Sequence, residues 1–182
     1  MTISGEDPIA EAADPVDALE FILFEHLRHR QMCKALERLA AAPEFDPEHI
    51  ARLADFIRFD LTLHVIDEEE DFFPLLRERC LPEDGIETVL DQMTKEHAED
   101  KSLSERVRDV LTRCLIERKP PCALADGAEV LRSFAQHEKR HMVLENAVVI
   151  PLARRRLTAK DLAVLGERFA ARRLRLSPAP GG

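Results

Sequence analysis

His64-Val65-Ile66-Asp67-Glu68-Glu69-Glu70-Asp71-Phe72-Phe73-Pro74 has a counterpart near the end of the chain, His141-Met142-Val143-Leu144-Glu145-Asn146-Ala147-Val148-Val149-Ile150-Pro151. In both, a Glu follows the His by four residues and a Pro follows the Glu by six. Residues four apart share a helix face, so each stretch presents an imidazole and a carboxylate one turn apart. A lone His-x3-Glu is usually a surface ion pair. Two copies on apolar seams point instead to two helices that enclose metal ions.

Four long helical patterns surround these stretches. The first opens with Asp14 as N-cap and Pro15 as first helical residue, and runs to about Ala41. Its seam is Leu19, Ile22, His26, His29, Cys33, Leu36 and Ala40, at the three-and-four spacing of an amphipathic helix. The second starts at Asp46-Pro47 and runs to about Arg79, with Ile57, Leu61, His64, Glu68, Phe72 and Leu75 inward. The third runs from about Pro82 to Arg118, with Ile86, Met93, His97, Asp100, Ser104, Val107 and Leu111 inward. The fourth runs from about Asp126 to Leu157, with Leu131, Phe134, His137 or Glu138, His141, Glu145, Val148 and Leu152 inward. Pro74 and Pro151 fall inside these patterns and predict a bend or a split there.

Short connections make consecutive helices antiparallel neighbours. The predicted fold is therefore all-α, an up-down-up-down four-helix bundle over 14–157. A short fifth helix follows over 158–176, capped by Thr158 with Asp161 three residues on. The segment 1–13 and the Pro/Gly tail 177–182 are expected to be flexible.

His26 and His97 complete the constellation. Each follows a Glu and lies on a seam. The chain thus reads as two hairpins, His26 then His64/Glu68, and His97 then His141/Glu145. Six polar groups would be costly to bury unpartnered, at about 1–3 kcal/mol each. Two six-coordinate ions need about twelve bonds. Four imidazoles, two bridging carboxylates and a bridging oxygen would leave about two positions for an exogenous ligand. One turn away, His29, Asp60, Asp100 and His137 form a further layer. They either orient ligands through hydrogen bonds, supply a fifth His ligand, or face a solvated bundle end. On the other side, Ile22, Phe72, Met93 and Val148 make an apolar floor. Glu69, Glu70 and Asp71 read as a solvated face, with Glu69 also placed to hold a ligand.

The net charge of −9 argues against non-specific nucleic-acid binding. The basic stretch Arg154–Arg175 reads as a solvated face with cations near helix ends. No run approaches the ~20 apolar residues of a membrane span. Cys33, Cys80, Cys114 and Cys122 form no Cys-x-x-Cys, and no export signal opens the sequence, so a cytoplasmic setting is expected. Trp and Tyr are absent, which excludes a tyrosyl radical.

On these residues the chain resembles the hemerythrin-like, or HHE cation-binding, proteins of bacteria. The resemblance covers about Asp14 to Leu157. It implies a four-helix bundle with two iron ions in an oxo- or hydroxo-bridged non-haem centre. Glu68 and Glu145 would bridge, and His26, His64, His97 and His141 would be terminal ligands. The oxygen carriers of that family have two His four apart on helix 3; here Lys101 stands four after His97. The implied function is binding or sensing of O2, NO or H2O2, or iron handling. The alternative is a di-iron enzyme of iron–sulfur repair or of nitric oxide or peroxide turnover. Ferritin-like bundles fit less well, because Glu138-x-x-His141 matches their Glu-x-x-His motif once while Leu61 stands at the corresponding place in helix 2.

Overall fold

A computed structural model describes residues 17–176. The expected Asp14-Pro15 start and the expectations for 1–13 and 177–182 lie outside the described residues. The described chain forms five helices and, among those residues, no strand. They are α1 (Ala18–Ala41), α2 (47–79), α3 (Ile86–Glu117), α4 (127–156) and α5 (Ala159–Leu176). None is long and apolar enough to cross a membrane.

Local chemistry sets the ends. Asp17 caps α1 by accepting from the backbone N–H of Leu19 and Glu20. Asp46 caps α2 through His49 N–H, with Pro47 in the first turn. Gly85, at φ 63°, turns the chain into α3 in the left-handed region that glycine tolerates best. Thr158 and Asp161 cap each other's backbone N–H at the start of α5.

α1 packs on α4 and α2, and α3 packs on α2 and α4, which closes a four-membered ring. The core divides into two apolar ends. One holds Met32–Ala40 of α1, Ile50–Leu61 of α2, Val107–Cys114 of α3 and Val130–Met142 of α4. The other holds Ala18–Ile22, Phe72–Leu76, Ile86–Met93 and Val149–Ala153 of the same helices in the same order. α1 and α3 run from the second end to the first, and α2 and α4 run back, so the topology is up-down-up-down. Between the two ends lie the buried polar residues Glu25, His26, His29, His64, Asp67, Glu68, His97, Asp100, Glu138, His141 and Glu145. A polar band across the middle of a bundle is unstable unless each member finds a partner.

Pro74 and Pro151 neither split nor stop their helices. Both follow a π-turn, Glu68–Phe72 in α2 and Glu145–Val149 in α4. In each, the carbonyl of the seam Glu accepts from the N–H five residues on, at Phe73 and Ile150. The backbone remains helical through both segments. The widened turn inserts one residue just where a proline must dispense with its N–H. That insertion rotates the remainder of the helix by one position. Leu76 is therefore buried where Leu75 was expected, and Val149 replaces Val148 in the apolar floor. A third π-turn spans Ile57–Leu61.

α5 is longer than a short cap, at 18 residues. Its apolar face docks through Leu165 and Phe169. Its cations do not simply face water: Arg168 reaches Asp71, Arg172 reaches Asp67 and Asp71, and Arg173 reaches Asp67 and Glu25. The solvated-face reading of the basic stretch, and of Asp71, is corrected at these positions. Asp67 and Asp71 are buried, so their charges require cationic partners.

Candidate metal centre

The six seam residues singled out from the sequence, His26, His64, Glu68, His97, His141 and Glu145, all meet in the polar band and are all buried. Their donor atoms form two groups. His26, His64, Glu68 and Glu145 make one; Glu68, His97 and His141 make the other. Glu68 belongs to both: Oε1 lies 3.0 Å from His64 Nε2, and Oε2 lies 3.1 Å from His97 Nε2. Glu145 Oε2 lies 3.0 Å from His26 Nε2. His97 Nε2 and His141 Nε2 are 3.1 Å apart. Donors bound side by side to one ion at about 2.1 Å lie about 3 Å apart. The observed separations therefore fit the edges of two coordination shells that share one carboxylate.

All four imidazoles turn Nε2 inward because Nδ1 is held outside. His26 Nδ1 meets Asn146 Oδ1 at 2.9 Å and His64 Nδ1 meets Glu25 Oε2 at 3.0 Å. His97 Nδ1 meets Glu69 Oε1 at 2.6 Å and His141 Nδ1 meets Glu96 Oε2 at 3.0 Å. Four oxygen acceptors hold the proton of each neutral ring on Nδ1, so Nε2 is the atom that faces the interior and is free to bind once it carries no proton. The pattern follows the two hairpins. The Glu before each first His holds the second His of its own hairpin, and the residue after each seam Glu holds the first His of the other hairpin.

Interior atoms lack ordinary partners. His26 Nε2, both oxygens of Glu68 and both of Glu145 are buried without a hydrogen bond among the described residues. Such atoms cost free energy unless something neutralises them. Inward lone pairs and carboxylates share one natural partner, a cation. The donor set of imidazole nitrogen and carboxylate oxygen suits a first-row transition metal such as iron.

Without a cation the groups lean on each other. Burial pushes His26 down, but the carboxylates of Glu145 and Glu68 outweigh it and raise its pKa to about 9. Burial pushes Glu68 up, yet His64, His26 and His97 hold it well below the usual carboxylate range. Two Nε2 atoms 3.1 Å apart cannot both carry protons. His97 is accordingly raised, with Glu68 and Glu69 overcoming burial. His141 is lowered, chiefly by burial, with Glu68 opposing and His97 adding to the fall.

The further layer is realised differently from its expectation. A small cavity beside the second donor group is lined by His29, Leu61, His64, Val65, His97, Asp100, Glu138, His141 and Met142. His29 and Asp100 are there as expected. Asp60 is not: it pairs with Arg28 at 2.5 Å, and Leu61 takes the inward place. His137 lies behind Asp100, with Nε2 3.0 Å from Oδ1, and Glu138 is the α4 residue in the cavity. Neither His29 nor His137 joins a donor group among the described residues. Burial drives His29 well below the usual imidazole range, with His64 and His26 reinforcing it. Burial likewise drives Glu138 up, reinforced by Asp100.

Sequence reasoning passed over Glu25, Glu96 and Asn146 as ring holders. A signal existed, since each adjoins a seam His or Glu. No curated protein matches the sequence. The family model for the hemerythrin HHE cation binding domain matches residues 17–155, most of the chain and all six donor residues. The chain belongs to the hemerythrin HHE family and is a metal-binding protein of iron type.

Proposed function

We propose that this is a non-haem di-iron protein that binds or senses a small ligand such as O2, NO or peroxide. His26, His64, Glu68 and Glu145 hold one ion; Glu68, His97 and His141 hold the other. The observation that carries this reading is the pair of donor groups sharing Glu68, with every imidazole turned inward by an outer acceptor. An iron pair there supplies redox chemistry and vacant positions for an exogenous ligand. The two positions differ in protein donors, four against three. The cavity touches the less saturated one through His97 and His141, and the other through His64 alone. That supports ligand entry on the side of His29, Asp100 and Glu138, away from the apolar floor. The unpaired thiols of Cys33, Cys80, Cys114 and Cys122 support a reducing, cytoplasmic setting.

Metal analysis after anaerobic ferrous loading should find about two irons per chain, because each donor group suits one ion. Oxygen exposure should then give near-ultraviolet charge-transfer bands. A single tightly held iron would overturn the dinuclear reading.

Entry through the cavity has its own expected result. Glu138→Gln and His29→Asn should change azide or nitric oxide affinity while iron content is kept, because both line the cavity and neither belongs to a donor group. His137→Ala should act less, because His137 reaches the cavity only through Asp100. Unchanged ligand affinity in Glu138→Gln and His29→Asn would place entry elsewhere.

The enzyme reading, in iron–sulfur repair or in nitric oxide or peroxide turnover, has one observation in its favour. Glu138 and Asp100 are carboxyls held above their usual range beside the cavity, chiefly by burial, where they can hold protons for a reacting ligand. Multiple turnovers of peroxide or nitric oxide by the iron-loaded protein would favour that reading; stoichiometric binding alone would favour the first.

A further inference from the structure

Glu25 uses both oxygens. Oε2 meets His64 Nδ1 at 3.0 Å, and Oε1 accepts from Arg173 Nη2 at 2.6 Å. Arg173 extends its fork to Asp67 Oδ2 at 2.5 Å and lies over the Phe21 ring at 4.4 Å. Asp67 is the residue before Glu68. One guanidinium therefore joins α1 to α2, on either side of the first donor group. The carboxylate side chain of Glu25 is only 4% exposed. Its counterpart in the other hairpin, Glu96, holds His141 in the same way, but its second oxygen takes Gln92 from its own helix and its side chain is 22% exposed. The pseudo-symmetry of the two hairpins is thus broken by a cation from outside the four-helix bundle.

We propose that Arg173 is a positioning residue for His64, acting through Glu25, so that α5 anchors one of the two metal positions and not the other. A carboxylate engaged at both oxygens, by a guanidinium N–H at one and the imidazole Nδ1 at the other, has its plane fixed, and with it the ring it holds. Arg168 serves as the internal comparison, because it ties the same helix to Asp71 at 2.7 Å without touching Glu25.

The inference rests on the dinuclear reading, and the experiment separates the two. The full chain, its Arg173→Ala, Arg173→Lys and Arg168→Ala variants, and Glu25→Gln are loaded with 57Fe at limiting concentration. Arg173→Ala should weaken one iron about 10–100-fold, as loss of an outer partner does, and leave the other in place. In Mössbauer spectra one of two quadrupole doublets should then lose intensity. Arg173→Lys should recover part of it, since an ammonium reaches Glu25 or Asp67 but does not fork across both. Glu25→Gln should weaken the same iron even where Arg173→Ala disturbs α5. In the metal-free protein, the slowly exchanging His64 Nδ1–H proton should be seen by NMR in the wild type and in Arg168→Ala, and be lost in Arg173→Ala. Equal loss of both irons, or equal effects of Arg168→Ala and Arg173→Ala, would overturn the inference and leave the dinuclear reading standing. A wild-type protein that takes up no second iron would overturn both.

Discussion

Glu68→Ala should abolish dinuclear metal binding, with both ions lost together. Glu68 is the one residue common to the two donor groups, with an oxygen 3.0 Å from His64 Nε2 and another 3.1 Å from His97 Nε2. Removing it takes a donor from each position and also the negative charge between them. The loss should exceed the about 10–100-fold expected on removing an outer hydrogen-bond partner. Glu145→Ala should act unequally, because Glu145 joins only the group of His26 and His64. It should weaken one ion strongly and spare the ion at His97 and His141. Glu70→Ala is the control: its side chain is 66% exposed and meets only Arg172 among the hydrogen bonds of this face. Metal content by mass spectrometry under native conditions distinguishes two, one and no ions per chain. Retention of one full equivalent in Glu68→Ala would defeat the sharing of that carboxylate.

The helices and the meeting of six seam residues in the bundle interior were legible because both depend on short-range spacing. Imidazole and carboxylate four apart share a helix face whatever the surroundings, and His26 and His97 lie on seams that the apolar residues alone define. The positions beyond the π-turns were not legible. Straight helical periodicity carries Val148 and Leu75 inward, whereas one inserted residue brings in Val149 and Leu76. The two prolines signalled that something changes there without saying that the helix widens instead of breaking. Choosing His137 over Glu138 in the further layer failed differently: adjacent polar residues near a seam differ by a rotation of about 100° at 3.6 residues per turn, and only packing resolves it. The roles of Arg168, Arg172 and Arg173 depend on where α5 docks, which no local pattern encodes. As a sequence, that stretch reads as an exposed cationic face. As a structure, it neutralises Asp67 and Asp71, and reaches the carboxylate that holds His64.

Removing metal should lower the melting temperature by roughly 15–30 °C. Ligand that binds only the folded chain at about a thousand times its Kd stabilises it by about 4 kcal/mol, so two such ions give about 8 kcal/mol. For a chain of 182 residues, each kcal/mol moves the midpoint by about 2–4 °C. The direction comes from the buried atoms. Metal-free, the buried oxygens of Glu68 and Glu145 face only the clustered imidazoles and each other, and Glu145 is raised by burial and by the neighbouring Glu68. The gap between loaded and metal-free protein should also widen with pH. His26 has a folded pKa of about 9, above its ordinary value of about 6.5, so its proton stabilises the metal-free fold fully below about 6.5. That stabilisation is lost as pH rises through about 9. Metal binding runs the other way, because the imidazoles must give up protons to become ligands, and fewer protons compete as pH rises. Thermal melts of chelator-stripped and iron-loaded protein at pH 6.5 and pH 9 test both points, with Glu68→Ala as reference. A melting point indifferent to metal in the wild type would mean that these six residues do not form a buried metal site.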